Sequence, residues 1–245
     1  MSVLRSGSFG GAEDTPSKPA GAPAPQGAEA LIAASRKARA EKTWIVTDGD
    51  VGMEAQGIAV AEAVGLPFSL KRVRITGAMR LLPSRLQIYV PPMRLLRSVS
   101  SNEPLAPPWP RLVISIGRRS VPIALAIKRV ASAFGLHIQN PRVPPQLFDL
   151  VAAPVHDNFE GPNVITTFGA VHSVTEAAGT GKPVYVQRLK GNSRRLARFH
   201  TLMQERGATR PFQGKLEAWT YAPINDTEVV ASAIRRALGL EKGRS

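Results

Sequence analysis

The sequence predicts an α/β protein built on a mostly parallel sheet with flanking helices, and three observations carry that prediction. From residue 43 onward, short β-branched runs alternate with helix-like stretches at the spacing of βαβ units. Hydrophobic residues are 43% of the 245 positions, enough to build a core. Polar, Gly-containing turns recur after the strand-like runs, where open parallel sheets place their ligand contacts.

The elements follow in order. Residues 1–26 are rich in Gly, Ala, Pro and Ser and bury too little apolar surface to offset the entropy of ordering. They read as a disordered tail without the apolar stretch of a secretory signal. Glu13, Asp14 and the prolines speak against a transit peptide. Residues 27–41 form a short Ala-rich helix, so 1–41 stand apart from the folded chain.

Thr43–Thr47 is a buried strand, Asp48–Gly52 a tight turn, and Met53–Val64 a helix closed by Gly65 and Pro67. Phe68–Ile75 alternates as a strand. Gly77–Leu82 and Pro92–Val99 are weaker helical patches. Arg111–Ile116 is a strand and Ser120–Phe134 a helix, with Pro122 in its first turn. Leu136–Gln139, Phe148–Ala152 and Val164–Phe168 are strands. Val174–Ala178 is a short helix, Pro183–Gln187 a strand, and Arg194–Arg206 and Thr227–Leu238 are helices.

Charge narrows the partners. Lys and Arg number 32 against 18 Asp and Glu, a net charge of +14. Between Glu62 and Glu103 there is no acid, while Lys71, Arg72, Arg74, Arg80, Arg85, Arg94 and Arg97 are basic and Leu81, Leu86, Tyr89 and Met93 are apolar. Such a face is either a solvated basic surface or one suited to an anionic membrane or acidic partner. Nucleic-acid binding rests on charge alone, because aromatics are only 6% and stacking residues are not interleaved. The absence of cysteine excludes disulfides, thiolate metal sites and a cysteine nucleophile. No apolar run reaches the ~18 residues of a membrane span.

Four turns hold the candidate chemistry. Asp48, Gly49 and Gly52 follow the first strand and either approach a ligand or simply turn the chain. Gly117, Arg118, Arg119 and Ser120 follow the strand RLVISI. Ser120 can cap the next helix, and two arginines at a helix start suit a phosphate or carboxylate. Alternatively they pair with Asp50, Asp149 or Asp157. Arg142 follows the Leu136 strand. His156 and Asp157 follow FDLVA and are either a general acid/base pair or a structural strand end. His137, His172 and His200 are scattered, so no metal spacing is visible.

The run TEAAGTGKPV imitates a P-loop but lacks its first Gly and its Ser/Thr. It reads instead as a helix with Thr175 and Glu176 at its start, a turn and a strand. No G-x-S-x-G elbow is present.

The stretches WIVTDGDVGMEAQGIAVAEAVGLP, PPWPRLVISIGRRSVPIALAIK, QNPRVPPQLFDLVAAPVHD, GPNVITTFGAVH and TEAAGTGKPVYV, with RFHTLMQERGATRPFQGKLEAWTYAPINDTEVVASAIRRAL, together resemble the bacterial branch of the mitochondrial fission ELM (elongated mitochondria) family. The resemblance runs from about Trp44 to Leu240. It implies two Rossmann-like domains facing a cleft, as in GT-B glycosyltransferases: an N-terminal one over 42–160 and a shortened one over 161–245.

It further implies a nucleotide-sugar donor as ligand, with no resident cofactor or metal. Arg118 and Arg119 would hold an anionic group, Ser173, Thr175 and Glu176 the nucleotide, and His156 or Asp157 would act as base. The plant branch recruits a dynamin-related fission protein at the mitochondrial surface, which implies a protein partner as the alternative role. The expected location is cytoplasmic, peripheral at the inner face of a membrane. Here GPNVITTFGAVH passes almost directly into SVTEAAGTGKPVYV, as though about 90 residues were deleted, which leaves the second unit small for such a domain.

Overall fold

The computed structural model describes residues 42–168, 173–187 and 194–240. The tail and helix expected within 1–41 lie outside the described residues.

β1 (Thr43–Thr47) is buried along its whole length, which suits an unbroken apolar run placed centrally in a parallel sheet. It pairs in parallel with β2 (Phe68–Ile75) on one side and with β4 (Leu112–Ile116) on the other. β5 (Phe134–Ile138), β6 (Leu150–Pro154) and β7 (Val164–Thr167) continue the sheet in parallel. β3 (Val99–Ser101) closes the far edge antiparallel to β2. The seven-stranded order is β3-β2-β1-β4-β5-β6-β7. The chain builds outward from β1 and then returns to its other side, so the topological switch point lies between β1 and β4.

α1 (Val51–Val64) begins where Asp50 Oδ1 accepts the Met53 N–H at 3.1 Å. It ends at Gly65, whose φ of 81° releases the chain. The helix therefore starts two residues before the predicted Met53. Gly52 is helical, and only Gly49 (φ 97°) needs the freedom of a glycine in this turn.

Alternate strand residues face opposite layers. Ile45, Ile114, Ile116 and Leu136 pack under α1 and the last helix, α7 (Asp226–Ala237). Trp44, Val46, Val113 and Val151 pack under α4 (Val121–Ala131) and the short α2 (Ser84–Gln87) and α3 (Pro92–Leu96).

Several expectations are corrected. The helix predicted to run to Phe134 stops at Ala131. Ser132 turns left-handed (φ 50°), and Phe134 opens β5. Val99 belongs to β3, because the backbone edge of β2 at Val73–Ile75 takes it. β9 (Thr209–Pro211), absent from the sequence reading, pairs with β8 (Val184–Val186) as a separate two-stranded sheet. α5 (Ser173–Gly179) and α6 (Arg194–Glu205) accompany it around Ala178, Phe199, Met203 and Ile224.

The boundary expected at 160 falls between β6 and β7 of one sheet. α7 also returns to the first layer. There Arg235 donates to the Ala63 carbonyl, and Arg111 donates to that of Leu238.

Candidate functional site

The parallel pairing of β1, β4, β5 and β6 brings all four polar turns to one edge of the sheet. At the switch point, Gly117 has φ 84°, and a Cβ placed on it would stand 3.0 Å from Asp48 Oδ1. Glycine is needed there twice, for the left-handed backbone and for the carboxylate lying over it.

Arg119, two residues on, lines a cavity of about 560 Å³ together with Asp48, Arg74, Arg80, Ser84 and Gln87. Arg74 comes from the carboxyl end of β2, and Arg80 from the 3₁₀ turn Gly77–Leu81. Among the described residues no carboxylate lies within 4.0 Å of any of these arginines. The acids that might have quenched the Gly117–Ser120 turn are committed elsewhere. Asp50 caps α1, and Asp149 takes the Gly135 N–H at 2.7 Å and Lys128 at 3.2 Å. Asp157 lies beside His156.

Gln87 is buried. Its Nε2 donates to the carbonyls of Met79 (3.0 Å) and Leu82 (2.8 Å), which holds the turn bearing Arg80. Its Oε1 has no hydrogen-bond partner among the described residues. The cavity thus offers three guanidinium groups for an anion, and Gln87 holds the turn that carries one of them.

Two of the predicted site residues, Asp48 and Arg119, line this cavity. Gly117 and Gly49 shape the turns beneath it, and Arg118 is exposed on the same turn. Ser120 differs from expectation. Its side chain caps nothing and is fully buried. Its Oγ donates to the Ile116 and Gly117 carbonyls at 2.8 Å and meets Ser115 Oγ at 2.9 Å.

Those carbonyls can only accept, so Ser120 spends its proton on them and Ser115 must donate to Ser120. Ser115 then accepts from His137 Nδ1, 3.0 Å away. His137 is therefore the Nδ1–H tautomer, and its buried Nε2 has no partner among the described residues. This chain braces the Gly117 turn from below.

Burial takes the His137 pKa from 6.5 down to about 3. Below pH 6.5 the unfolded chain takes up a proton that the folded chain refuses until about pH 3. Stability is therefore lost as pH falls through that window, by up to about 1.4 kcal/mol per pH unit. His137→Asn should remove this one-proton dependence, measured as urea unfolding free energy against pH.

The other predicted groups lie elsewhere. His156 Nε2 stands 3.8 Å from Asp157 Oδ1, with both side chains mostly buried, in a 3₁₀ turn after β6 that packs on α6. β6 is three strands from β1, about 14 Å along the edge at the usual strand spacing. Arg142 is exposed at the end of β5 with φ 60°, its N–H bonded to Asn140 Oδ1 at 2.9 Å. Thr175 is buried within α5. The side chains of Ser173 and Glu176 lie outside the described residues.

The sequence alone does not mark Arg74, Arg80 and Gln87 as site residues; in it the two arginines are part of a basic face. The crossover rule supplies the signal that finds Arg74: a helix between β1 and β2 makes them parallel neighbours, so both carboxyl ends meet. Among the described residues no three His, Cys, Asp or Glu cluster as metal ligands. Among them, too, no helix is long and apolar enough to cross a membrane.

Fold and cavity define an α/β protein with helices on both faces of a central sheet and a cationic cavity at its switch point. The chain belongs to the mitochondrial fission ELM1 family, whose model matches residues 51–177 and 173–238. It is 40% identical over 81 residues to the mitochondrial fission protein ELM1 of Arabidopsis thaliana. That alignment covers 32% of this chain and 19% of the relative, so the chain spans about a fifth of the length of the curated relative it matches. No solved structure matches.

Proposed function

We propose that the cavity at the carboxyl ends of β1, β2 and β4 binds a nucleotide sugar through its phosphates, and that the chain is a glycosyltransferase-like protein of the bacterial branch. The observation that carries this reading is the convergence of Arg74, Arg80 and Arg119, none paired with an acid among the described residues, on one cavity at the switch point. Guanidinium groups bind phosphate oxygens in forked, charge-assisted pairs.

Asp48 is the carboxylate among the lining residues, and in this reading it takes the acid/base position. An acceptor hydroxyl attacks the anomeric carbon, its proton passes to Asp48, and the nucleoside diphosphate leaves against the arginines. His156 and Asp157 stand three strands along the same edge and would act on whatever part of a ligand extends there.

The family match in two segments that meet at residues 173–177 supports a shortened second unit. A GT-B-like cleft would then be incomplete on that side, and binding would rest on the first unit.

Thermal unfolding with a panel of nucleoside diphosphates, nucleotide sugars and inorganic diphosphate tests this. A ligand present at about 100 times its Kd adds about 2.7 kcal/mol, or about 5–10 °C for a chain of this size. A cooperative transition that no member of the panel moves would overturn the reading.

A further inference from the structure

We propose that the short helices beside the cavity dock on an anionic bilayer, and that a lipid phosphate shares the cavity's arginines with the soluble ligand. The proposal rests on the reading of the cavity as an anion site and adds a second source of phosphate to it.

The segment between β2 and β3 packs Ile88, Leu95 and Leu96 into the core under α4. It leaves large apolar side chains outside: Leu81 is 84% and Tyr89 78% exposed, and Leu86 and Met93 are each nearly half exposed. Arg80, Arg85, Arg94 and Arg97 are exposed on the same segment, and no acid occurs from Ala63 to Asn102. Leu81 and Arg80 also line the cavity, so the segment's exposed apolar and basic side chains begin at the anion site.

A soluble phosphate ligand satisfies the arginines but does not account for the exposed apolar side chains beside them. A single-stranded nucleic acid would be bound through stacking aromatics, and this segment holds only Tyr89. A lipid supplies both halves at once, a phosphate for the guanidinium groups and an interfacial layer for leucine, methionine and tyrosine. Charge complementarity favours an anionic leaflet, because each arginine near such a surface strengthens attachment about fivefold.

The test is flotation with phosphatidylcholine vesicles, with and without phosphatidic acid, at low and high salt. The expected result is binding to the doped vesicles alone, weakened by salt. Tyr89→Ser with Met93→Ser, outside the cavity, should lower vesicle affinity about tenfold or more while leaving the thermal shift by inorganic diphosphate unchanged. Arg119→Ala should lower vesicle affinity about fivefold.

Equal flotation with both vesicle types, flotation with neither, or full binding by the Tyr89/Met93 variant would overturn the proposal. If diphosphate still shifts the unfolding midpoint in those cases, the cavity remains an anion site for a soluble ligand. Vesicle binding indifferent to Arg119→Ala would overturn the assignment of the lipid phosphate to the cavity.

Discussion

Replacing Arg119 with alanine is expected to weaken binding of a nucleoside diphosphate by about 10–100-fold without changing the unfolding midpoint of the free protein. A hydrogen bond to a charged group contributes about 1.5–3 kcal/mol, which sets that range. Arg119 is exposed and has no acid partner among the described residues, so its removal strands no buried charge. Arg118→Ala is the control. It sits on the same turn with the same charge but does not line the cavity, and should change affinity by about fivefold at most. Titration calorimetry on both variants separates a shaped site from a diffuse basic surface: equal losses would mean that only the net charge matters.

The second large effect is expected in the core. Gly57 lies on the sheet face of α1, where an added Cβ would come within 2.3 Å of Ile116 Cδ1 and 2.8 Å of Ile45 Cγ2. Both isoleucines are fully buried. The close approach of α1 to β1 and β4 therefore depends on the absence of a side chain. Gly57→Val should cost about 2–3 kcal/mol through overpacking, read as a lower urea midpoint. Ile116 leads directly into Gly117, so this variant should also loosen the turn beneath Asp48. A variant as stable as the parent would mean that the helix can move off the sheet at little cost.

Most of the sheet was legible because the strands TWIVT, FSLKRVRI and LVISI carry apolar or alternating runs that packing does not overrule. Gly65 announced the end of α1 by the same local chemistry. What was not legible depends on long-range pairing or on unusual backbone. β3 and β9 span three residues each and exist only because an edge receives them. The end of α4 is marked by a left-handed serine, which gives no glycine signal.

In the site, the Asp48 and Arg119 turns could be read from their position after strands. Arg74, Arg80 and Gln87 could not, because their convergence requires the strand order and the path of the 77–87 segment. Ser120 is misleading in the sequence for a related reason. A serine before a helix reads as a cap; here it turns back to the Ile116 carbonyl and to Ser115, and the His137 that completes this chain is brought there only by the register that sets β4 beside β5.

The return of α7 to α1 has a consequence for how the chain is made. Val60 and Val64 on α1 wait for Val230 and Ile234 before their layer is covered. At about 5–20 residues per second, the ribosome needs roughly ten to thirty seconds to supply the intervening chain. Throughout that interval a nascent sheet stands with one greasy face open to solvent. Synthesis of this protein should therefore lean on chaperones that shield such a face, and a translational pause before Asp226 would lengthen its most aggregation-prone moment.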